Sequence, residues 1–123
     1  MNNLRIAPSQ ESPTITFNTD GHFKIEGISL VPNVHSFYKP VFDWLDEFEK
    51  NLPPKIVVEL EFEYLNTASI HTVVTIIKRL VSYTEKNVDL KVIWCYAAED
   101  DDLLENGQNF MNYVNFPFEF QAR

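Results

Sequence analysis

The segment KIVVELEFEYLNTASIHTVVTIIKRL, residues 55 to 80, changes its hydrophobic period partway along. Its first ten residues alternate, which is the pattern of a β-strand with one buried face. From Ile70 onward the apolar residues recur at steps of three and four, which predicts an amphipathic helix. The predicted core positions are Ile56, Val58, Leu60, Phe62 and Tyr64 on the strand, and Ile70, Val73, Val74, Ile77, Leu80, Val81 and Thr84 on the helix.

The same two patterns predict the other elements. Alternating stretches at 14–18 (TITFN) and 22–27 (HFKIEG) flank Asp20-Gly21 and predict a β-hairpin. A helical pattern then begins at Val34, but it contains Pro40. We expect the helix to start near Ser36, which would leave the proline in the first turn; the alternative is a kink at Pro40. Farther along, LKVIWCY predicts a buried strand, residues 103–114 predict a third helix, and NFPFEFQ predicts a last short strand.

The predicted order is β-β-α-β-α-β-α-β in a single α/β domain covering residues 1–123, with residues 1–13 as an irregular N-terminal arm. Alternating strands and helices imply right-handed crossovers and a mixed, mainly parallel sheet. One face of three strands is polar, so we expect the helices mostly on the other face. The exception is KVIWCY, which is apolar on both faces, so we expect the N-terminal arm or a partner to cover it. The polar face comprises Thr14, Thr16, His22, Lys24, Glu26, Glu59, Glu61 and Glu63.

Composition excludes several classes of protein. A chain of 123 residues, 45% hydrophobic and 14% aromatic, suits one ordinary core. Its formal net charge of −8 repels phosphate backbones and anionic lipids, so we expect neither a nucleic-acid partner nor membrane insertion. No stretch approaches the roughly 20 apolar residues of a membrane helix, and the N-terminal sequence does not follow the pattern of a secretion signal. We expect a cytoplasmic protein, with its single cysteine, Cys95, as an inert core thiol.

Three loops follow the predicted parallel strands and should meet at one edge of the sheet. They are residues 28–33, 65–68 and 97–102, which carry Pro32-Asn33, Asn66-Thr67 and an acidic run. On residue type alone, Asn66 or Thr67 is the N-cap of the second helix. Thr67 is also suited to accept a phosphate, because a helix N-terminus offers free N–H groups to an anion. Both interpretations can hold together.

The other polar clusters have ordinary explanations. The acidic run at 99–102 could hold a metal ion, but a solvated helix start explains it better. Glu59, Glu61 and Glu63 have the period of a solvated strand face. The three histidines show no ligand spacing, and no glycine-rich phosphate loop is present. We therefore predict that the protein is not an enzyme and uses no cofactor or metal.

Five segments of the chain resemble one known family. They are GISLVPN, FYKPVFDWLDEF, YLNTASI, IWCYAAEDDDLLENGQNF and FPFEF, and they occur in the family's order within residues 14–120. The family is the SiaC family of bacterial regulatory phosphoproteins, whose fold is similar to STAS-type anti-sigma-factor antagonists. Each segment is weakly specific, whereas five in order within one small domain are a specific signal.

The resemblance implies a phosphorylation switch on Thr67, within the family's Asn-Thr-Ser-Ser type motif. It implies an anti-sigma-factor-type Ser/Thr kinase, a PP2C-type phosphatase and a diguanylate cyclase as partners. In such a switch the unphosphorylated form binds and activates the cyclase, which raises cyclic di-GMP and promotes biofilm formation or aggregation. An anti-sigma-factor antagonist is the nearest alternative, and a small metal-dependent binding protein or enzyme using residues 99–102 is an alternative of another class.

The chain departs from the family's usual residues at several positions near this switch. Ala68 replaces the first serine of the motif, LVPN replaces the commoner Tyr-Pro-Glu-Asn, and His71 replaces a lysine. These changes are expected to alter partner choice and to leave the switch in place. We expect the partner-binding residues to be Pro32, Asn33, Asn66, Ala68, Ser69 and His71.

Overall fold

A computed structural model describes all residues from Met1 to Arg123. Six strands and three helices alternate through most of the chain. The strands are β1 (Leu4–Ile6), β2 (Thr14–Phe17), β3 (His22–Ser29), β4 (Lys55–Leu65), β5 (Asp89–Tyr96) and β6 (Phe118–Ala122). The helices are α1 (Val34–Phe48), α2 (Thr67–Ser82) and α3 (Asp101–Val114), with short 3₁₀ turns at Glu49–Asn51 and Tyr83–Lys86.

The strands form one sheet in the order β1-β2-β3-β4-β5-β6. β1, β2 and β3 pair antiparallel, whereas β3, β4, β5 and β6 pair parallel. The sheet is thus mixed, with a smaller parallel part than the sequence predicted. Each parallel crossover steps in the same direction, so right-handed connections place all three helices on one face. There α2 packs between α1 and α3, which confirms the single α/β domain with helices on one side.

The sequence predicted an irregular N-terminal arm, but part of this arm is a strand. Leu4–Ile6 forms β1, which pairs antiparallel with β2. Trp44 Nε1 donates to the Asn2 carbonyl at 2.8 Å, and Thr19 N donates to Asn3 Oδ1 at 2.8 Å. Three residues are too few to show an alternating pattern in the sequence. The strand is stabilised instead by pairing with the edge of β2 and by these contacts.

The predicted start of the first helix was wrong. α1 begins at Val34, because Asn33 Oδ1 accepts from Ser36 N at 3.1 Å and caps it there. Pro40 therefore lies within the helix, where it cannot donate to the carbonyl four residues earlier. Pro40 is exposed, so water can reach the carbonyl that the proline leaves unpaired.

The core lies between the sheet and the helices. A cluster of 26 buried residues fills it, and Trp94, Tyr38 and Phe17 are its largest fully buried side chains. Trp94 Nε1 donates to the Leu103 carbonyl at 2.9 Å, and its ring lies against Gly107. A Cβ at Gly107 would lie 2.5 Å from that ring, so this glycine allows α3 to approach β5 closely.

The opposite face of the sheet carries the polar side chains that the sequence placed there. Lys24 lies 3.2 Å from Glu26 and 3.8 Å from Glu59, and Arg123 pairs with Glu59 and Glu61. Glu59, Glu61 and their neighbours thus form a solvated, ion-paired surface.

LKVIWCY contributes Ile93 and Cys95 to this polar face, and both are buried. They lie between the polar side chains of neighbouring strands. Ile93 is level with Glu59 and Glu119, and Cys95 is level with Gln121. Burial raises the pKa of the Cys95 thiol, which suits an unreactive core position. None of the helices has the length and apolarity to cross a membrane.

Candidate functional site

The carboxyl ends of the parallel strands bring the three predicted loops to one edge of the sheet. Leu65, the last residue of β4, is level with Ser29, the last residue of β3. Asn66 N donates to the Ser29 carbonyl at 3.1 Å, so the loop before α2 is attached to the end of β3. On the other side of α2, Leu65 and Ile70 share a depression with residues from the first turns of α3.

Asn66, and not Thr67, caps α2. Asn66 has an extended backbone (φ −83°, ψ 167°), and its Oδ1 accepts from Ser69 N at 2.8 Å. Its carbonyl accepts the first intrahelical bond, from Ile70 N at 3.0 Å. Thr67 is the first residue of the helix, is exposed, and its hydroxyl makes no hydrogen bond to another protein group. The two alternatives for the cap are resolved in favour of Asn66, and the Thr67 hydroxyl is accessible.

Ser69 lies in the core and cannot contact a partner on the surface of this fold, contrary to the sequence-based expectation. Its side chain is fully buried and accepts from Ser29 Oγ at 2.8 Å. Ser29 Oγ also lies 2.7 Å from Tyr38 Oη. Since the single Ser29 proton points to Ser69, Tyr38 is the donor in that second bond. The three hydroxyls connect α2, β3 and α1 below Thr67.

Burial raises the pKa of Tyr38 to about 12, and the hydrogen bond with Ser29 offsets only part of this effect. The phenol therefore stays neutral near pH 7, and the Ser29–Ser69–Tyr38 group is an uncharged anchor for the α2 N-terminus. No sequence pattern indicates this group, because each of its residues belongs to a different element.

The remaining predicted residues lie on the surface in two places. Ala68 and His71 are exposed on the first turns of α2, and His71 follows Thr67 by one turn on the same face of the helix. Pro32 and Asn33 are exposed on the β3–α1 loop, beside Ser9 and Ser12 of the N-terminal arm. Asn33 also has a structural role as the α1 cap.

The acidic run begins α3. Asp100 Oδ1 accepts from Leu103 N at 2.9 Å and caps the helix, while Asp101 and Asp102 occupy its first turn. Carboxylates at this end interact favourably with the helix dipole. No group of three or more His, Cys, Asp or Glu side chains has an arrangement that could hold a metal ion.

A β-bulge exposes one aromatic residue beside the site. β3 and β4 pair regularly up to Gly27 and Phe62, after which Ile28 pairs with Tyr64 and Glu63 is the extra residue. The alternation breaks there, so Tyr64 is 61% exposed instead of lying on the core face as predicted. The sequence signal that could have revealed the bulge is Gly27, because a glycine within a strand often marks one. In the structure Gly27 has a φ of +113°.

Tyr64 borders a depression of ≈ 300 Å³ between the N-terminal turns of α2 and α3. We call it the α2–α3 groove and define it by the apolar residues Tyr64, Leu65, Ile70 and Leu103 and by the carboxylates Glu63 and Asp102. Thr67 lies between Leu65 and Ile70 in sequence, so the predicted phosphoacceptor is two and three residues along the chain from two residues of this groove.

Comparisons of the sequence and of the structure with known proteins point to the same family. The family described as SiaC family regulatory phosphoprotein matches residues 6–123. An uncharacterized protein of Pseudomonas aeruginosa, PA14_02130, is 26% identical over 99% of this chain and 98% of its own length. The crystal structure of apo-SiaC from the same species has 27% identity and a TM-score of 0.87, covering 99% of this chain and 100% of that one. SiaC in the crystal structure of the diguanylate cyclase SiaD with its activator SiaC has 26% identity and a TM-score of 0.89, covering 98% and 99%.

Proposed function

Because the chain belongs to the SiaC family of regulatory phosphoproteins, we propose that it is a non-enzymatic switch whose state is set by phosphorylation of Thr67. In this proposal, unphosphorylated protein binds and activates a diguanylate cyclase, and phosphorylation stops this. The observation that carries the proposal is the exposed, unbonded hydroxyl of Thr67 at the start of α2. We place the switch in the cytoplasm, where ATP is available to the kinase.

The geometry around Thr67 suits an acceptor of a phosphoryl group. Its Oγ1 attacks the γ-phosphorus of ATP on the partner kinase, an O–P bond forms, the bond to ADP breaks, and the hydroxyl proton is lost. A PP2C-type phosphatase reverses the change with water and releases inorganic phosphate. Thr67 Oγ1 needs no rearrangement to reach a kinase, since it is exposed and leaves no hydrogen bond behind.

The helix N-terminus is compatible with the product. The backbone N–H groups of Thr67 and Ala68 have no intrahelical acceptor, and the helix dipole favours an anion there. A phosphate adds roughly two negative charges to this exposed edge. We therefore expect phosphorylation to leave α2 folded and to act on partner binding at the surface.

A cyclase is the proposed target because the relative SiaC was solved with the diguanylate cyclase SiaD, as its activator. At 26% identity the fold is closely shared, whereas Ala68 and His71 depart from the family's usual residues beside Thr67. These two positions are where we expect this chain to differ in its choice of kinase, phosphatase and cyclase.

The first experiment tests phosphorylation. The chain is incubated with its cognate kinase and ATP, and the modified residue is located by mass spectrometry, with Thr67→Ala as the control. We expect one phosphate on Thr67 and none on the variant. Unmodified Thr67 would reject the proposed switch site.

The second experiment identifies the target. Wild-type protein treated with phosphatase should recover a diguanylate cyclase from native cells and stimulate its synthesis of cyclic di-GMP, and the phosphorylated form should not. Thr67→Ala should remain folded and active, and loss of cyclase binding in the folded variant would contradict the proposal. If Thr67 is phosphorylated but the protein recovers no cyclase and instead recovers a component of an anti-sigma-factor pathway, the antagonist alternative is favoured.

A further inference from the structure

The α2–α3 groove has the composition of a protein-binding surface. Its apolar part ends in Tyr64, which the bulge holds outward with 61% of its surface exposed. Tyrosine is enriched among the few residues that dominate binding energy at interfaces, and bulges often redirect side chains at functional sites. A backbone irregularity that exposes an aromatic residue beside the predicted phosphoacceptor is a specific arrangement.

The charge of the groove defines its occupant. On the open sheet face, Glu59 and Glu61 are paired with Lys24 and Arg123. By contrast, Glu63 and Asp102 have no Lys, Arg or His partner in an ion pair. The groove is therefore an apolar depression with unpaired negative charge at its rim, which is complementary to an apolar side chain flanked by Lys or Arg.

We propose that the α2–α3 groove is the surface that binds the cyclase, through a cyclase segment that carries an apolar side chain flanked by basic residues. Tyr64 packs against the apolar side chain, and Glu63 and Asp102 pair with the basic ones. This inference rests on the proposed function and adds to it the location and chemistry of the interface.

Phosphorylation at Thr67 would oppose this contact although the partner is basic. A phosphate that is not in direct contact with a basic residue gains little attraction from it, since salt screens exposed charges over about 8 Å. A bound segment that covered a phosphate on Thr67, three residues before Ile70 of the groove, would instead remove its water, which is costly for an ion without full pairing. Because Glu63 and Asp102 already pair with the basic residues of the segment, the phosphate finds no cation of its own.

The test measures binding of the purified cyclase to unphosphorylated protein by titration calorimetry. Tyr64→Ala is compared with Tyr113→Ala, because Tyr113 is 58% exposed on the C-terminal part of α3. We expect Tyr64→Ala to raise Kd at least about ten-fold and Tyr113→Ala to leave it within about two-fold.

A second pair of variants tests the charge. Asp102→Lys is compared with Glu85→Lys, which makes the same change of charge in the exposed turn after α2. We expect Asp102→Lys to raise Kd about ten-fold at low salt and to make binding less sensitive to added salt, and Glu85→Lys to have little effect. Circular dichroism and urea unfolding confirm that each variant is folded.

The outcomes separate this inference from the proposed function. If wild-type protein does not bind the cyclase, the proposed function is rejected. If wild-type protein binds but Tyr64→Ala and Asp102→Lys behave like their controls, the groove is not the interface and the proposed function stands. Weaker binding in both variants and in neither control supports the groove.

Discussion

Replacing Asn66 with alanine separates the cap of α2 from the proposed phosphoacceptor beside it. The change removes the Oδ1 that accepts from Ser69 N at 2.8 Å and leaves the Thr67 hydroxyl in place. The Asn66 backbone N–H can still donate to the Ser29 carbonyl. Asn66→Ala should therefore lower stability without removing the residue that we propose is phosphorylated.

The magnitude follows from burial. Loss of an Asn N-cap costs about 0.5–2 kcal/mol. Ser69 is fully buried, so water replaces the lost acceptor poorly, and we expect Asn66→Ala to cost about 1.5–2 kcal/mol. Asn33 caps α1 in the same way at 3.1 Å, but its donor belongs to the exposed Ser36, so Asn33→Ala should cost about 0.5–1 kcal/mol.

Urea unfolding, followed by circular dichroism at several protein concentrations, measures these differences. In a chain of this size about 1 kcal/mol corresponds to a Tm shift of about 3–5 °C. Asn66→Ala should unfold at lower urea than Asn33→Ala, with the same dependence on denaturant. Asn66→Asp should recover most of the loss, because a carboxylate also caps a helix.

Thr67→Ala provides the opposite control. Thr67 is exposed and makes no side-chain hydrogen bond, so its replacement should change stability by less than about 0.5 kcal/mol. The reasoning is refuted if Thr67→Ala destabilises the protein as much as Asn66→Ala, or if the two Asn variants lose the same stability.

Two further predictions concern buried and titrating groups. Ser69→Ala leaves the buried Ser29 hydroxyl without its acceptor and should cost about 1–3 kcal/mol in urea unfolding; a neutral result would show that Ser29 finds another partner. Hydrogen bonds from Arg79 chiefly, and from Tyr83, hold the pKa of Glu49 below its ordinary value of 4.5. Its folded pKa is depressed, so its contribution is complete above about pH 4.5 and is lost as the pH falls through the lower folded-state pKa. The stability difference between wild type and Glu49→Gln should therefore shrink below pH 4.5 in urea titrations, and a difference that persists at low pH would contradict this explanation.

Much of the fold could be predicted because its signals are local. The period-two pattern of β4 and the helical pattern of α2 lie next to each other in the chain, and each reports which face is buried. Predictions failed mainly where a contact between distant residues decides the local structure. β1 depends on the edge of β2 and on Trp44. The start of α1 is a local error, since the Asn33 cap overrides the preference of Pro40 for a first turn.

The candidate site shows the same division. Its location at the loop edge was expected from the order of elements, and the family resemblance suggested Thr67 as the phosphoacceptor, which stays a prediction. The burial of Ser69 and the exposure of Tyr64 were not expected, since Ser69 was assigned to the surface at the loop edge and Tyr64 to the core by its alternation. Ser69 is buried because Ser29 and Tyr38 meet it from other elements, and Tyr64 is exposed because a bulge opposite Gly27 breaks the alternation.

The sequence by itself determined the identity and order of the main elements, the polar and apolar faces of the sheet, and the presence of a threonine at the start of α2. Only the tertiary structure decided which hydroxyls are hidden below that helix, and that an aromatic groove with unpaired carboxylates adjoins it. The physical reason is how far apart in the chain the interacting residues lie. Periodicity records whether a residue faces the core, whereas hydrogen bonds and grooves form between residues that are far apart in the chain, such as Ser29 and Ser69 or Leu65 and Leu103.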